Sequence, residues 1–167
     1  MCYYTSCNNA NGGKTLMAEK KTVFLTGASG HMGWAGFKEL YKKKDKLNIV
    51  LLLRDSEKNR KKFANYLNDP SVKIVWGDLK KYDDVLKCVE GSDYVLHVGG
   101  MVSPSADYYP TKTIQTNTTA AKNIVDAVKA QPNKDDIKVV YIGTVAQTGD
   151  RNAPIHWART GDPIKIS

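Results

Sequence analysis

Residues 22–33 read TVFLTGASGHMG, and this stretch decides the fold. Its first five residues are an apolar run between threonines, the pattern of a buried strand. Gly27, Gly30 and Gly33 follow at three-residue spacing. Beyond them Phe37, Leu40 and Tyr41 share one face of a helix predicted over 33–43. In a strand, turn and helix of this kind the glycines answer three physical demands. One permits a tight turn out of the strand, one lets a pyrophosphate approach the backbone, and one lets the helix pack closely on the sheet. The start of a helix presents free N–H groups and the positive end of its dipole, which favour anions. The turn formed by Gly27, Ser29, Gly30, His31, Met32 and Gly33 is therefore expected to hold the phosphates of a dinucleotide. The plain alternative is an ordinary glycine-rich turn.

Outward from this turn, short aliphatic runs alternate with longer amphipathic stretches. Residues 22–26, 48–53, 72–75, 94–97 and 138–142 are five predicted strands, several of them apolar at consecutive positions, as in strands buried on both faces. Helices are predicted over 33–43, 56–67 and 82–88, and along a stripe formed by Ile114, Ala121, Ile124, Val125 and Val128. Strands alternating with helices imply right-handed crossovers and a doubly wound parallel sheet, an α/β Rossmann fold. Residues 143–167 are rich in Gly, Pro and polar residues and supply no further helix or strand long enough to close the domain, so the fold is expected to be incomplete at its C-terminus. Residues 1–16 are polar and aperiodic. Gly12-Gly13, which require GGN codons, lie just before Met17, where a ribosome-binding sequence would sit, so 1–16 are expected to be a disordered leader or an over-extended reading frame. The division expected is 1–16, a nucleotide-binding domain over 17–150, and a substrate-loop segment over 151–167.

The 167 residues, 41% hydrophobic and 25% charged, suit one folded domain and exclude a disordered or fibrous chain. The longest aliphatic run, residues 49–53, is far too short to span a bilayer, and the first seventeen residues have no signal-type core. Cys2, Cys7 and Cys88 are an odd number without a CxxC pair, which points to neither a disulfide framework nor a zinc site. A cytoplasmic location is the expectation. The net charge is +8, and lysines cluster at 42–44 and 58–62. No aromatic residues interleave them as in a stacking platform, so they read as solvated surface, with neither nucleic acid nor membrane as partner. His31 and His97 lack partners at metal-ligand spacing. Trp34, Trp76 and the Met32 side chain read as packing residues, and Cys88 as a small core residue.

The second strand ends LLLRDS. Many dinucleotide-binding sheets place a carboxylate there for the ribose hydroxyls, but here Arg54 comes first. A guanidinium matches phosphate in a forked, charge-assisted contact, so Arg54 favours the 2′-phosphate of NADP. Asp55 follows directly and keeps NAD open.

TGASGHMG at 26–33, WGDL at 76–79, HVGG at 97–100 and IGTVAQTGD at 142–150 together resemble the extended short-chain dehydrogenase/reductase superfamily. This group includes nucleotide-sugar epimerases, dehydratases and dihydroflavonol-type reductases. The resemblance runs in order from residue 21 to about residue 150. By it, Asp78 and Leu79 would contact the adenine, and Val98, Gly99 and Gly100 would line the path to the nicotinamide ribose. Thr144 would hydrogen-bond the oxygen of a small-molecule substrate. Asn117 would help organise a water near the active site, its bland alternative being a buried amide bonded to backbone.

The resemblance also implies a YxxxK pair, a tyrosine acid–base with its pKa lowered by a lysine, a couple of dozen residues beyond Thr144. No tyrosine follows Thr144, and the only lysine there is Lys165. The tyrosines upstream are read as lying outside such a pair. The expectation is thus the NAD(P)-binding portion of a hydride-transferring epimerase, dehydratase or reductase, with little activity of its own. The rival is a non-catalytic module of the same fold that senses dinucleotide or binds a partner.

Overall fold

The computed structural model describes residues 19–144. The leader expected over 1–16 and the loop segment expected over 151–167 lie outside the described residues. Five strands form one parallel sheet: β1 (Lys21–Thr26), β2 (Leu47–Leu53), β3 (Val72–Trp76), β4 (Tyr94–His97) and β5 (Lys138–Tyr141). Their spatial order is β3-β2-β1-β4-β5, a doubly wound Rossmann-like sheet whose winding reverses between β1 and β4. The helices are α1 (His31–Tyr41), α2 (Glu57–Phe63), α3 (Tyr82–Val89), α4 (Ser105–Tyr108) and α5 (Pro110–Lys129). No helix among the described residues is long and apolar enough to cross a membrane.

The consecutive apolar residues of β1 and β2 divide by parity between the two sheet faces. Phe24, Val50 and Leu52 meet Val85, Val89 and Ile124 on the side of α3 and α5. Leu25, Ile49, Leu51 and Leu53 meet Phe37 and Phe63 on the side of α1 and α2. Cys88 is buried in the first layer, and burial pushes its thiol up to about 12, leaving a small inert core residue. Trp34 stacks edge-on against Phe63 at 5.4 Å and is a packing residue, as expected. Met32 is 63% exposed, so its side chain is not one.

Four further expectations need correction. The helix expected over 33–43 starts at His31, because Gly30 is its N-cap, and ends at Tyr41. The helix expected over 56–67 is two pieces. Ser56 caps α2 by accepting the Asn59 N–H at 3.2 Å, and the chain tightens after Phe63 into a 3-10 turn, Ala64–Tyr66. That turn sets the Tyr66 ring edge-on against Phe37, with centroids 4.8 Å apart. The apolar stripe expected on α5 is also only partly the buried one. Ala120, Asn123, Ile124, Ala127 and Val128 are buried, whereas Ile114 is 67% and Val125 46% exposed. Two overlapping apolar stripes run along this helix, and the one carrying alanines lets it approach α3 and the sheet. Every residue of β5 is exposed, so the two-sided burial expected from its composition does not hold there.

Candidate functional site

The carboxyl ends of β1 and β4 part at the point where the winding reverses, and the glycine turn lies there. Gly27 sits at φ +72°, in the left-handed region. A Cβ on it would lie 2.7 Å from the Gly99 Cα and amide nitrogen, so the two turns touch backbone to backbone. A Cβ on Gly33 would lie 2.1 Å from the Gly27 carbonyl oxygen, which sets how closely α1 seats on the turn. The Gly30 N–H donates to that same oxygen at 2.9 Å. Gly30 offers α1 no side-chain cap, and no acidic residue stands in its first turn. Among the described residues, the positive end of this eleven-residue helix therefore has neither a side-chain cap nor a first-turn carboxylate. Ser29 is half-buried, while His31 and Met32 are exposed at the rim of the turn.

On the β2 side, Arg54 is exposed and its guanidinium makes no hydrogen bond or ion pair among the described residues. Asp55 is engaged. Arg60 donates to both its carboxylate oxygens, at 2.6 and 2.8 Å, and holds its pKa below the usual carboxylate range. The Arg60 guanidinium also lies 4.8 Å over the ring of Trp76. A second cation, Lys62, belongs to the 58–62 cluster read as solvated surface but is half-buried. Its Nζ donates to the Ser29 carbonyl at 2.9 Å and lies 4.4 Å over Trp34, tying α2 to the glycine turn. Partial burial, with Lys58 and Lys38 nearby, lowers its pKa. Asp78 accepts the Lys80 N–H at 2.9 Å, and its own N–H donates to Asp84 Oδ2 at 3.1 Å. The Leu79 carbonyl accepts from Asn123 Nδ2 at 2.8 Å, and its Cδ1 would be 3.0 Å from a Cβ on Gly99.

On the β4 side, Thr26 Oγ1 accepts the N–H groups of Val98 at 3.1 Å and Gly99 at 2.9 Å. It also lies 2.8 Å from His97 Nδ1, and both side chains are buried. Desolvation lowers the His97 pKa. Asn117 on α5 accepts the Met101 N–H at 2.8 Å and donates to the Met101 carbonyl at 3.0 Å, fixing the strand exit next to Gly100. Its amide is half-buried and bonded to backbone on both its oxygen and its nitrogen. Thr144 lies on the exposed stretch leaving β5, whose Ile142 N–H donates to the His97 carbonyl at 3.2 Å. The tyrosine survey needs one correction, because Tyr108 and Lys112 do have the YxxxK spacing. They precede β5 rather than follow it. Tyr108 is 78% exposed, and the Lys112 Nζ lies 5.9 Å over the Tyr109 ring instead. Among the described residues no three His, Cys, Asp or Glu side chains are grouped to hold a metal.

A parallel sheet with a glycine turn opening onto an uncapped helix at its switch point defines a nucleotide-binding α/β domain. The chain belongs to the NAD-dependent epimerase/dehydratase family, whose model matches residues 23–165, within the extended short-chain dehydrogenase/reductase superfamily. It is 33% identical over 128 residues to a UDP-glucose 4-epimerase of Rickettsia bellii, covering 74% of this chain and 36% of that protein. A UDP-glucose 4-epimerase of Rickettsia felis is 30% identical over the same length. The chain thus spans about a third of the length of these curated relatives. Among solved structures, the UDP-Glc/GlcNAc 4-epimerase of Campylobacter jejuni superposes with a TM-score of 0.70 at 17% identity, over 88% of this chain and 44% of that one. The Bordetella bronchiseptica enzyme WbmH, solved with NAD+, gives 0.67 at 21%, over 88% and 46%. At these identities the structures speak for the fold.

Proposed function

We propose that the chain binds a nicotinamide dinucleotide across the β1–β4 crevice, with the pyrophosphate on the backbone of residues 26–33 and the start of α1. The observation that carries this reading is a positive helix end that, among the described residues, has no side-chain cap and no first-turn carboxylate, beside glycines whose Cβ positions are filled by neighbouring backbone. The residues present fit the group. When bound, the nicotinamide supplies a site that gives or takes a hydride. The chain's own residues anchor and orient. Arg54 reads the adenosine ribose, Asp78 and Leu79 flank the adenine, and Val98, Gly99 and Gly100 line the nicotinamide path. Thr144 holds a substrate oxygen, and Asn117 keeps the backbone beside it in place and helps organise a water.

NADP is the preferred cofactor in this reading, with NAD accepted less well. Support comes from the engagement of Asp55 by Arg60, which removes the carboxylate an NAD ribose would use, while the Arg54 guanidinium has no partner among the described residues. The chain serves as the nucleotide-binding portion of an epimerase, dehydratase or reductase acting on a small molecule, and a cytoplasmic setting suits that role. The test is a titration of the chain with NADPH and NADH, followed by nucleotide fluorescence, on the wild type and Arg54→Ala. Tighter NADPH binding that Arg54→Ala weakens by about tenfold or more is expected, since a charge-assisted contact contributes roughly 1.5–3 kcal/mol. Equal binding of both nucleotides, unchanged in the variant, would refute the NADP assignment. No binding of either would refute the site.

A further inference from the structure

Behind the place where the two glycine turns touch lies a buried pair that the binding role leaves unexplained. Thr26 and His97 are neighbours across the β1–β4 ladder, 71 residues apart in the chain. Thr26 is 0% and His97 4% exposed, so bulk solvent barely reaches their polar atoms. The Thr26 hydroxyl oxygen has two lone pairs, and two backbone donors, Val98 N–H and Gly99 N–H, already point at it. The third contact, to His97 Nδ1 at 2.8 Å, is therefore one in which Thr26 donates its own proton. An acceptor Nδ1 carries no hydrogen, so the ring proton is on Nε2. If Nδ1 were protonated instead, three donors would converge on one oxygen and the hydroxyl hydrogen would have no acceptor. Nε2 has no hydrogen-bond partner among the described residues in either case, so the Nδ1 side decides.

We propose that His97, as the neutral Nε2–H tautomer, is a positioning residue for the nucleotide crevice. By accepting from Thr26 it fixes the oxygen that holds the Val98–Gly99 turn against Gly27. The proposal rests on the dinucleotide reading above. Its consequence is geometric, because Gly99 and Gly27 meet with no room for a Cβ between them. A turn released from Thr26 would move the wall of the crevice. His97 touches no ligand in this scheme, and its ring is flanked by Tyr141 of β5, centroids 5.5 Å apart.

Two measurements on the full chain test this. The first is a long-range 1H–15N correlation spectrum at neutral pH, without nucleotide, with His97 assigned among the three histidines by its loss in His97→Asn. An unprotonated Nδ1 and a protonated Nε2 are expected; a proton on Nδ1 overturns the proposal. The second is NADPH titration of His97→Asn, whose amide oxygen can replace Nδ1 as acceptor, and of His97→Leu, which keeps volume but accepts nothing. Binding within about threefold of wild type for the first and weaker by about tenfold or more for the second is expected. Wild-type affinity in His97→Leu overturns the proposal, as does loss of affinity in His97→Asn, and the latter decides should the leucine variant not fold. A wild type that binds neither NADPH nor NADH brings the proposal down with the phosphate-turn reading. The nucleotide-free spectrum distinguishes that outcome from a failure of the hydrogen-bond assignment.

Discussion

Gly33 and Gly36 lie one turn apart on α1, and replacing each by alanine should move stability in opposite directions. A Cβ on Gly33 would stand 2.1 Å from the Gly27 oxygen, 2.4 Å from the Gly27 carbonyl carbon and 2.8 Å from the Ala28 nitrogen, all main-chain atoms that no rotamer change can clear. Restoring ordinary contact would require the helix start to retreat by roughly 1.3 Å, breaking the seat of α1 on the turn. Overpacking against side chains costs about 1–3 kcal/mol; against backbone, about 3 kcal/mol or more is expected. A Cβ on Gly36 meets nothing within 4 Å, so alanine there gains helix propensity of about 0.5–1 kcal/mol. With a urea m-value of about 2 kcal/mol/M, the Gly33→Ala midpoint should fall by about 1.5 M and the Gly36→Ala midpoint rise by about 0.3–0.5 M. NADPH affinity should fall about tenfold or more in the first and hold in the second. Equal midpoints for Gly33→Ala and wild type would refute the close seating of α1 and the geometry of the phosphate turn with it.

Arg60→Leu frees the Asp55 carboxylate for ribose hydroxyls, so affinity for NADH should rise relative to NADPH in paired titrations. Phe37→Ala, at a fully buried ring shared by Trp34, Tyr41, Phe63 and Tyr66, should cost about 3–5 kcal/mol in urea denaturation. His97 titrates below the ordinary imidazole value in the folded state, because burial penalises its charge. Its neutral form therefore supports the fold fully above about pH 6.5, and stability should fall as pH drops through that value toward the lower folded pKa. Among the described residues, Thr26 and Tyr141 contact the ring. His97→Asn should flatten this limb of a stability–pH curve. The limbs of Glu39, Asp55 and Asp69 lie below about pH 4.5, since Lys42, Arg60 and Lys44 hold those carboxyls under the usual range.

The sequence by itself determined the strands, their alternation with helices and the glycine turn, because these follow from local periodicity and the spacing of Gly27, Gly30 and Gly33. It also marked Arg54, since the end of a strand is legible. Tertiary structure alone decided which of two apolar stripes α5 buries, because both have helical spacing and only the fit of Ala120 and Ala127 against the neighbouring layer separates them. It alone decided the fate of Asp55, since a carboxylate before a helix cap pairs with Arg60 only once α2 is set at its angle to the strand. The reach of Lys62 to Ser29 and the hydroxyl linking Thr26 to His97 join residues 33 and 71 positions apart. No one-dimensional pattern encodes contacts of that span, because they exist only after the sheet has brought β1 beside β4 and α2 beside the turn.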